Sequence, residues 1–189
     1  MSNTLLSEQL KIRTLAAHQE LEKILIGRLR AMQDQDDYIG ILQLFYSYFG
    51  ALEDRINLFI GIKELPDYLQ RRKSDSLIED VQSLGGVLAE KIKLAGLPVI
   101  ENHLQAFGAM YVMEGSTLGG LIISQMVVKQ LNIDKGLLFF QSYGAQQMAM
   151  WETFKLALNR YSDNETDAEV IINSADATFR QFKSVLNSY

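Results

Sequence analysis

Two histidines occur in the 189 residues, His18 and His103, and only the first has neighbours that could help it hold a metal. Glu22 follows His18 by four residues, one helical turn on the same face. A carboxylate there can accept the Nδ1 proton of His18, which fixes the tautomer and leaves neutral Nε2 to face an ion. Lys11 precedes His18 by two turns on that face, so its ammonium could reach an anionic group on whatever His18 binds. The plainer alternative for Lys11 and Glu22 is a solvated helix surface. His103, in Glu101-Asn102-His103 after Pro98, reads as a capping or surface residue.

A second constellation is Gly108-Ala109-Met110-Tyr111-Val112-Met113-Glu114-Gly115-Ser116-Thr117-Leu118-Gly119-Gly120. The segment is strongly helical in pattern, yet each glycine inside a helix costs about 0.5–1 kcal/mol relative to alanine. Gly115, Gly119 and Gly120 together therefore cost on the order of 2–3 kcal/mol, and something must offset it. Gly115 and Gly119 form a bare stripe that Tyr111 extends by one turn. Such a stripe admits a close flat partner, either another helix or a planar cofactor, and it lets the helix kink.

Other chemistries lack their parts. The chain has no cysteine, so disulfides and thiolate sites are excluded and a cytoplasmic location is the expectation. A di-iron bundle needs paired Glu-x-x-His motifs, but Leu15 and Ile100 stand three residues before the two histidines. No nucleophile elbow or phosphate-binding glycine loop is present. A net charge of −5 argues against a nucleic-acid partner. The apolar stretch 118–128 is interrupted by Ser124 and Gln125 and falls short of a bilayer span, so no membrane partner is expected.

These residues must be positioned by helices. Apolar side chains recur at three- and four-residue spacing over residues 5–32, 38–62, 101–131, 141–161 and 166–186, and residues 66–94 read as one or two shorter helices broken near Gly85-Gly86. Asp34, Asp36 and Asp37 can cap the second segment. Leu137-Leu138-Phe139-Phe140 is the one run with strand character. Hydrophobic residues make up 48% of the chain and no linker divides it. The expectation is all-α, a bundle of six to eight helices in one domain, residues 1–189.

Together the two constellations resemble the bacterial branch of the heme oxygenase family. Lys11 to Glu22 is similar to that family's proximal helix, with its T-x-x-x-H-x-x-x-E pattern. Tyr111-Val112-Met113-Glu114-Gly115-Ser116-Thr117-Leu118-Gly119-Gly120 resembles the distal-helix motif. Ala145 to Phe154 is similar to a later helix with Trp-x-x-Phe. The resemblance spans about residues 8–185. It implies an oxidoreductase that cleaves heme, at once substrate and cofactor, to biliverdin IXα, CO and ferrous iron. It implies His18 as iron ligand and Glu22 as its orienting partner. Gly115, Ser116 and Gly119 become catalytic-wall residues, and Lys11, Tyr111 and Gly120 become heme contacts, Lys11 and Tyr111 at the propionates. Ser116 stands where mammalian relatives hold an aspartate. Nothing here binds flavin or nicotinamide, so the resemblance implies an external electron donor such as a ferredoxin or flavin reductase, and a biliverdin-accepting photoreceptor as a further partner. Two alternatives stay open: a heme-binding protein of the same fold that stores or senses heme, and a heme-free helical interaction domain.

Overall fold

The first two prospective helices are held apart by an aspartate pair. In the computed structural model, which describes residues 4–188, Asp34 accepts from the Asp37 amide, and Asp37 in turn accepts from the Gln33 amide. This reciprocal cap starts α3 (Gln35–Phe45) after α1 (Leu6–Arg13) and α2 (Leu15–Ala31). Helix α3 runs without a loop through a π-helical turn, Tyr46–Gly50, into α4 (Ala51–Ile56). A 3-10 turn, Tyr68–Gln70, precedes α5 (Asp75–Ser83). Then follow α6 (His103–Gly115), α7 (Thr117–Leu131), α8 (Leu138–Gln141), α9 (Gln147–Asn159) and α10 (Glu165–Asn187). Asn102 and Asn164 cap α6 and α10, and α7 ends on Asn132 in the left-handed region, φ 54°.

The expected all-α architecture is found. The bundle centre is the α6–α10 pair. A Cβ on Gly108 would sit 2.3 Å from the Ile171 carbonyl oxygen, so this glycine lets the two backbones touch, and Ser174 Oγ donates to the Gln105 carbonyl at 2.7 Å beside it. Around them an aromatic group of Phe45, Tyr48, Phe49, Phe139, Phe140 and Phe182 packs mostly edge-to-face with centroids 4.8–6.0 Å apart.

Three local expectations are corrected. The run Leu137-Leu138-Phe139-Phe140 is helical, as α8, not extended. The first long helix is interrupted at Thr14, whose Oγ1 donates to the Leu10 carbonyl at 2.8 Å, and the fourth is interrupted at Ser116. The apolar stretch is also longer than residues 118–128. His103–Leu131 runs 29 residues and contains an 18-residue stretch of mean hydropathy 1.3, enough to cross a membrane by length and composition. More than half of that stretch is nevertheless buried within the protein, as a core helix should be.

Candidate functional site

His18 lies on α2 one turn after the break at Thr14, with its amide donating to the Thr14 carbonyl at 2.9 Å. The residue is exposed. Its ring rests 5.4 Å from that of Phe179 on α10. Opposite pairs tie α2 to α10 without using the histidine: Glu20 accepts from Lys183 at 2.7 Å, and Arg28 donates to the Leu186 carbonyl. Arg13 pairs with Glu169 on the preceding helix α1.

At its far end α2 is tied to α7. Gln130 Nε2 donates to the carbonyls of Met32 and Arg30, at 2.5 and 3.3 Å. That bond shows which side of α7 looks at α2. At about 100° per residue, Gly119, Ile123, Met126 and Gln130 share one stripe, while Gly120, Ser124 and Val127 are buried on another. His18 stands twelve residues before Arg30 and Gly119 eleven before Gln130. At about 1.5 Å per residue, each therefore lies roughly 16–18 Å along its own helix from the tie. The open surface over Gly115 and Gly119, on the side of α7 that Gln130 turns toward α2, is the candidate groove. A Cβ on Gly119 would meet nothing within 4 Å, and one on Gly115 would meet only Trp151, at 3.9 Å.

The four glycines thus divide. Gly108 is explained by α10, and Gly120 by α8, because a Cβ on Gly120 would stand 2.0 Å from the Phe140 carbonyl oxygen. The structure directs Gly120 at protein, away from the groove. Gly115 and Gly119 have no such close neighbour, and they face space a flat ligand could fill.

The remaining expected residues are dispersed. Tyr111 is 9% exposed, and its ring lies 5.6 Å from Trp151. Its hydroxyl interacts with Thr14, and burial raises its pKa. It is a strut between α6 and the α1–α2 break, one turn before His18. Glu22 is exposed, and among the described residues no hydrogen bond joins it to His18. Lys11 is exposed at the end of α1, across the break from His18, and makes no ion pair among the described residues. Ser116 is committed on two sides. Its hydroxyl donates to the Met113 carbonyl at 2.6 Å and accepts from Arg72 Nη2 at 2.8 Å.

Behind the α6–α7 break is a polar group that sequence patterning did not single out. Glu114 is 4% exposed in an apolar helix. It accepts from Arg71 Nη1 at 2.8 Å and from the Tyr143 hydroxyl at 3.0 Å. Arg71 also grips Asp67 at 2.6 Å and the Met150 carbonyl at 2.8 Å. Burial pulls the Arg71 guanidinium down, but Glu114 and Asp67 more than reverse it and the net shift is upward. Burial, the larger influence at Arg72, leaves that guanidinium lowered. Lys73 is likewise lowered by burial, with its ammonium 3.5 Å from the Tyr68 ring centroid. The available signal was Glu114 itself, since a charge inside an apolar helix must be partnered and Arg71-Arg72-Lys73 is a concentrated source of cations.

Among the described residues no group of three or more His, Asp or Glu side chains could hold a metal ion. A metal at His18 must therefore bring most of its own ligands, as in a planar macrocycle edged into the groove. The donor type, the exposed ring and the bare opposing stripe fit such a group. The family model for heme oxygenase matches residues 4–188. A curated heme oxygenase of Xanthomonas campestris pv. campestris is 25% identical over 154 residues, 81% of this chain and 90% of that protein. Among solved structures, a Neisseria meningitidis heme oxygenase, solved with NO and CO bound, superposes with a TM-score of 0.79 at 22% identity, covering 97% of this chain and 91% of that one. Heme oxygenase from Leptospira interrogans gives 0.78 at 16% identity (98% and 100%), and heme oxygenase-1 from the cyanobacterium Synechocystis, in complex with heme, gives 0.76 at 22% (98% and 92%). These superpositions establish the fold, and the match over nearly the whole length establishes the rest: the chain belongs to the heme oxygenase family, oxidoreductases that degrade heme.

Proposed function

We propose that this chain cleaves heme to biliverdin IXα, CO and ferrous iron, with His18 Nε2 as iron ligand and Gly115 and Gly119 forming the opposite wall. The observation that carries the reading is the open space a Cβ on Gly119 would meet, on the stripe of α7 that Gln130 ties to α2, the helix that carries the exposed His18. Bound heme supplies the iron that activates O2 and is itself the ring that opens. The Phe179 ring limits rotation of His18, so the ligand nitrogen is held without needing the Glu22 carboxylate. A wall of bare backbone allows close approach without a side chain occupying the space for O2. The Ser116 hydroxyl has given its proton to Met113 and one lone pair to Arg72, so toward the groove it can only accept, and it suits a water that donates to it. Lys11 is the cation available to a propionate. Electrons come from an external donor such as a ferredoxin or flavin reductase in the cytoplasm, and a photoreceptor that takes up biliverdin is a compatible acceptor.

The test is titration of the purified chain with hemin, followed by reaction with ascorbate or a reductase under air. The expected result is a six-coordinate His–water spectrum, loss of that spectrum in His18→Ala but not in His103→Ala, and mainly the IXα isomer on chromatography. Binding without ring opening would instead favour a heme-storage or heme-sensing role. Absence of a Soret band would overturn the reading.

A further inference from the structure

The break between α6 and α7 is bridged by side chains from elsewhere in the chain. The Met113 and Glu114 carbonyls accept from the hydroxyls of Ser116 and Thr117, at 2.6 and 2.7 Å. Arg72 Nη2 adds a second donor to the Met113 carbonyl at 2.7 Å and reaches Ser116 Oγ at 2.8 Å. One guanidinium nitrogen thus touches the last turn of α6 and the junction residue itself. Arg72 is in turn fixed from three sides. Its backbone amide donates to the Tyr143 hydroxyl at 2.7 Å. Its guanidinium carbon lies 4.0 Å from the Phe139 ring centroid. Its neighbour Arg71 is anchored on Glu114, one residue before Gly115.

We propose that Arg72 is a positioning residue for the glycine wall: by bridging Met113 and Ser116 it sets the angle of the α6–α7 break, and so the direction in which Gly115 and Gly119 face the groove. This rests on the heme-cleaving reading of the same groove. The geometry gives the reason an arginine is used. A helix break directly after Gly115 is soft, because glycine leaves the backbone free and hydroxyl–carbonyl bonds within one turn permit bending. A planar guanidinium with several donors in fixed directions holds two acceptors at a set separation, which a lysine ammonium on a flexible stem does not. Arg72 also fixes the orientation of the Ser116 hydroxyl, because the side that accepts from Nη2 cannot be the side that donates to Met113. The lone pair left for a groove water is then defined by Arg72.

The test compares the unaltered chain with Arg72→Lys, Arg72→Met, Ser116→Ala and the Arg72→Lys/Ser116→Ala double variant. Hydrogen exchange on heme-free protein is the first measurement. The proposal expects faster exchange of the amides from Ser116 to Leu121 in both Arg72 variants, with the α10 amides unchanged. The second is the acid–alkaline transition of the hemin complex, read from the absorbance spectrum. Arg72→Lys and Ser116→Ala should each displace its midpoint, and the double variant should move it by less than the sum of the two. The third is ring opening, expected to slow about tenfold in Arg72→Lys with hemin affinity within a few-fold of the original. If Arg72→Met fails to fold, Arg72→Lys and Ser116→Ala carry the test. Unchanged exchange at Ser116–Leu121, or additive midpoint shifts, would overturn the proposal even where the unaltered chain turns heme over. Failure of the unaltered chain to bind hemin would count against the function itself, and the exchange measurement would still decide whether Arg72 sets the break.

Discussion

Gly119 and Gly120 are neighbours in the chain, and a side chain at each would meet opposite circumstances. At Gly119 the added atoms enter open space, so Gly119→Leu should fold and should gain about 0.5–1 kcal/mol from helix propensity. The same leucine would fill the groove opposite His18, and ring opening should fall sharply. At Gly120 even a methyl would stand 2.0 Å from a backbone oxygen and 3.0 Å from its carbonyl carbon. Neither atom can swing aside as a flexible side chain could, so Gly120→Ala should cost about 1–3 kcal/mol or more by overpacking. Urea unfolding of both variants, with turnover measured on the folded fractions, checks the contrast. A destabilised Gly119→Leu, or a Gly120→Ala that unfolds like the parent, would mean that the groove has been placed on the wrong stripe of α7. Spacing alone could not have made this distinction. It identified four costly glycines, and only the three-dimensional neighbours show that α10 and α8 account for Gly108 and Gly120 while among the described residues nothing packs against Gly119. The surroundings of Tyr111 lie beyond spacing for a related reason. A tyrosine one turn before Gly115 can point toward solvent or toward the core, and here burial beside Trp151 and Thr14 decides it.

The short helix α8 exists because a carboxylate from another element starts it. Asp80 on α5 is fully buried and accepts from the amides of Leu138 and Phe139, each at 2.8 Å, taking up two of the donors a helix start leaves over. Burial nonetheless raises its pKa above the ordinary carboxylate value, with the two amides only partly opposing. The linkage sign follows. With the folded pKa above the unfolded one, the folded state binds the proton more readily, and the group's contribution improves as pH falls through the folded pKa toward the unfolded value. Asp80→Asn keeps one acceptor, orphans one amide, and should cost about 1–3 kcal/mol. Because it removes the titration, the parent's advantage over Asp80→Asn should widen as pH is lowered from neutral toward about 4. Denaturant midpoints at both pH values measure this, and a gap that narrows on acidification would contradict it. The same contact explains why four apolar residues were open to a strand reading: the cap comes from 58 residues away, beyond any local pattern. The long helices were legible because their apolar periodicity is local. The break at Thr14 was not, because the residues on either side are good helix formers, and the one at Ser116 showed only as a kink that the neighbouring glycines allow. What interrupts them is hydroxyl-to-carbonyl bonding within a turn, reinforced at Ser116 by Arg72 from a distant loop.

At the scale of the molecule, α2 packs mainly on α10 and α7 mainly on α8, and the two helices are tied to each other through Gln130. The ion pairs that help hold the α1–α2 arm are partly exposed, Arg13 and Glu169 at 42% and 44% and Lys183 and Glu20 at 31% and 60%, and such pairs contribute only about 0–1 kcal/mol each. The arm therefore rests chiefly on the burial of Leu6, Leu10, Ala17, Leu21 and Leu29, and a ligand held by both α2 and α7 would add a bridge between them. Binding to the folded state alone stabilises by about 2.7 kcal/mol when free ligand is a hundred times its Kd. For a domain of this size each kcal/mol shifts the melting midpoint by roughly 2–4 °C, so hemin in that excess should raise it by roughly 5–11 °C. His18→Ala removes an exposed ring whose recorded contact is Phe179, so the heme-free midpoint should move little while most of the hemin-induced rise disappears. The comparison matters because the outer side of α7 also carries exposed apolar chains, Leu118, Leu121 and Ile122 at 38%, 57% and 63%, to which a hydrophobic ring could adhere. Adherence there would colour the protein without drawing α2 and α7 together and would not depend on His18. A thermal rise of equal size in the parent and in His18→Ala would assign the bound hemin to that outer face, and a rise confined to the parent would assign it to the groove.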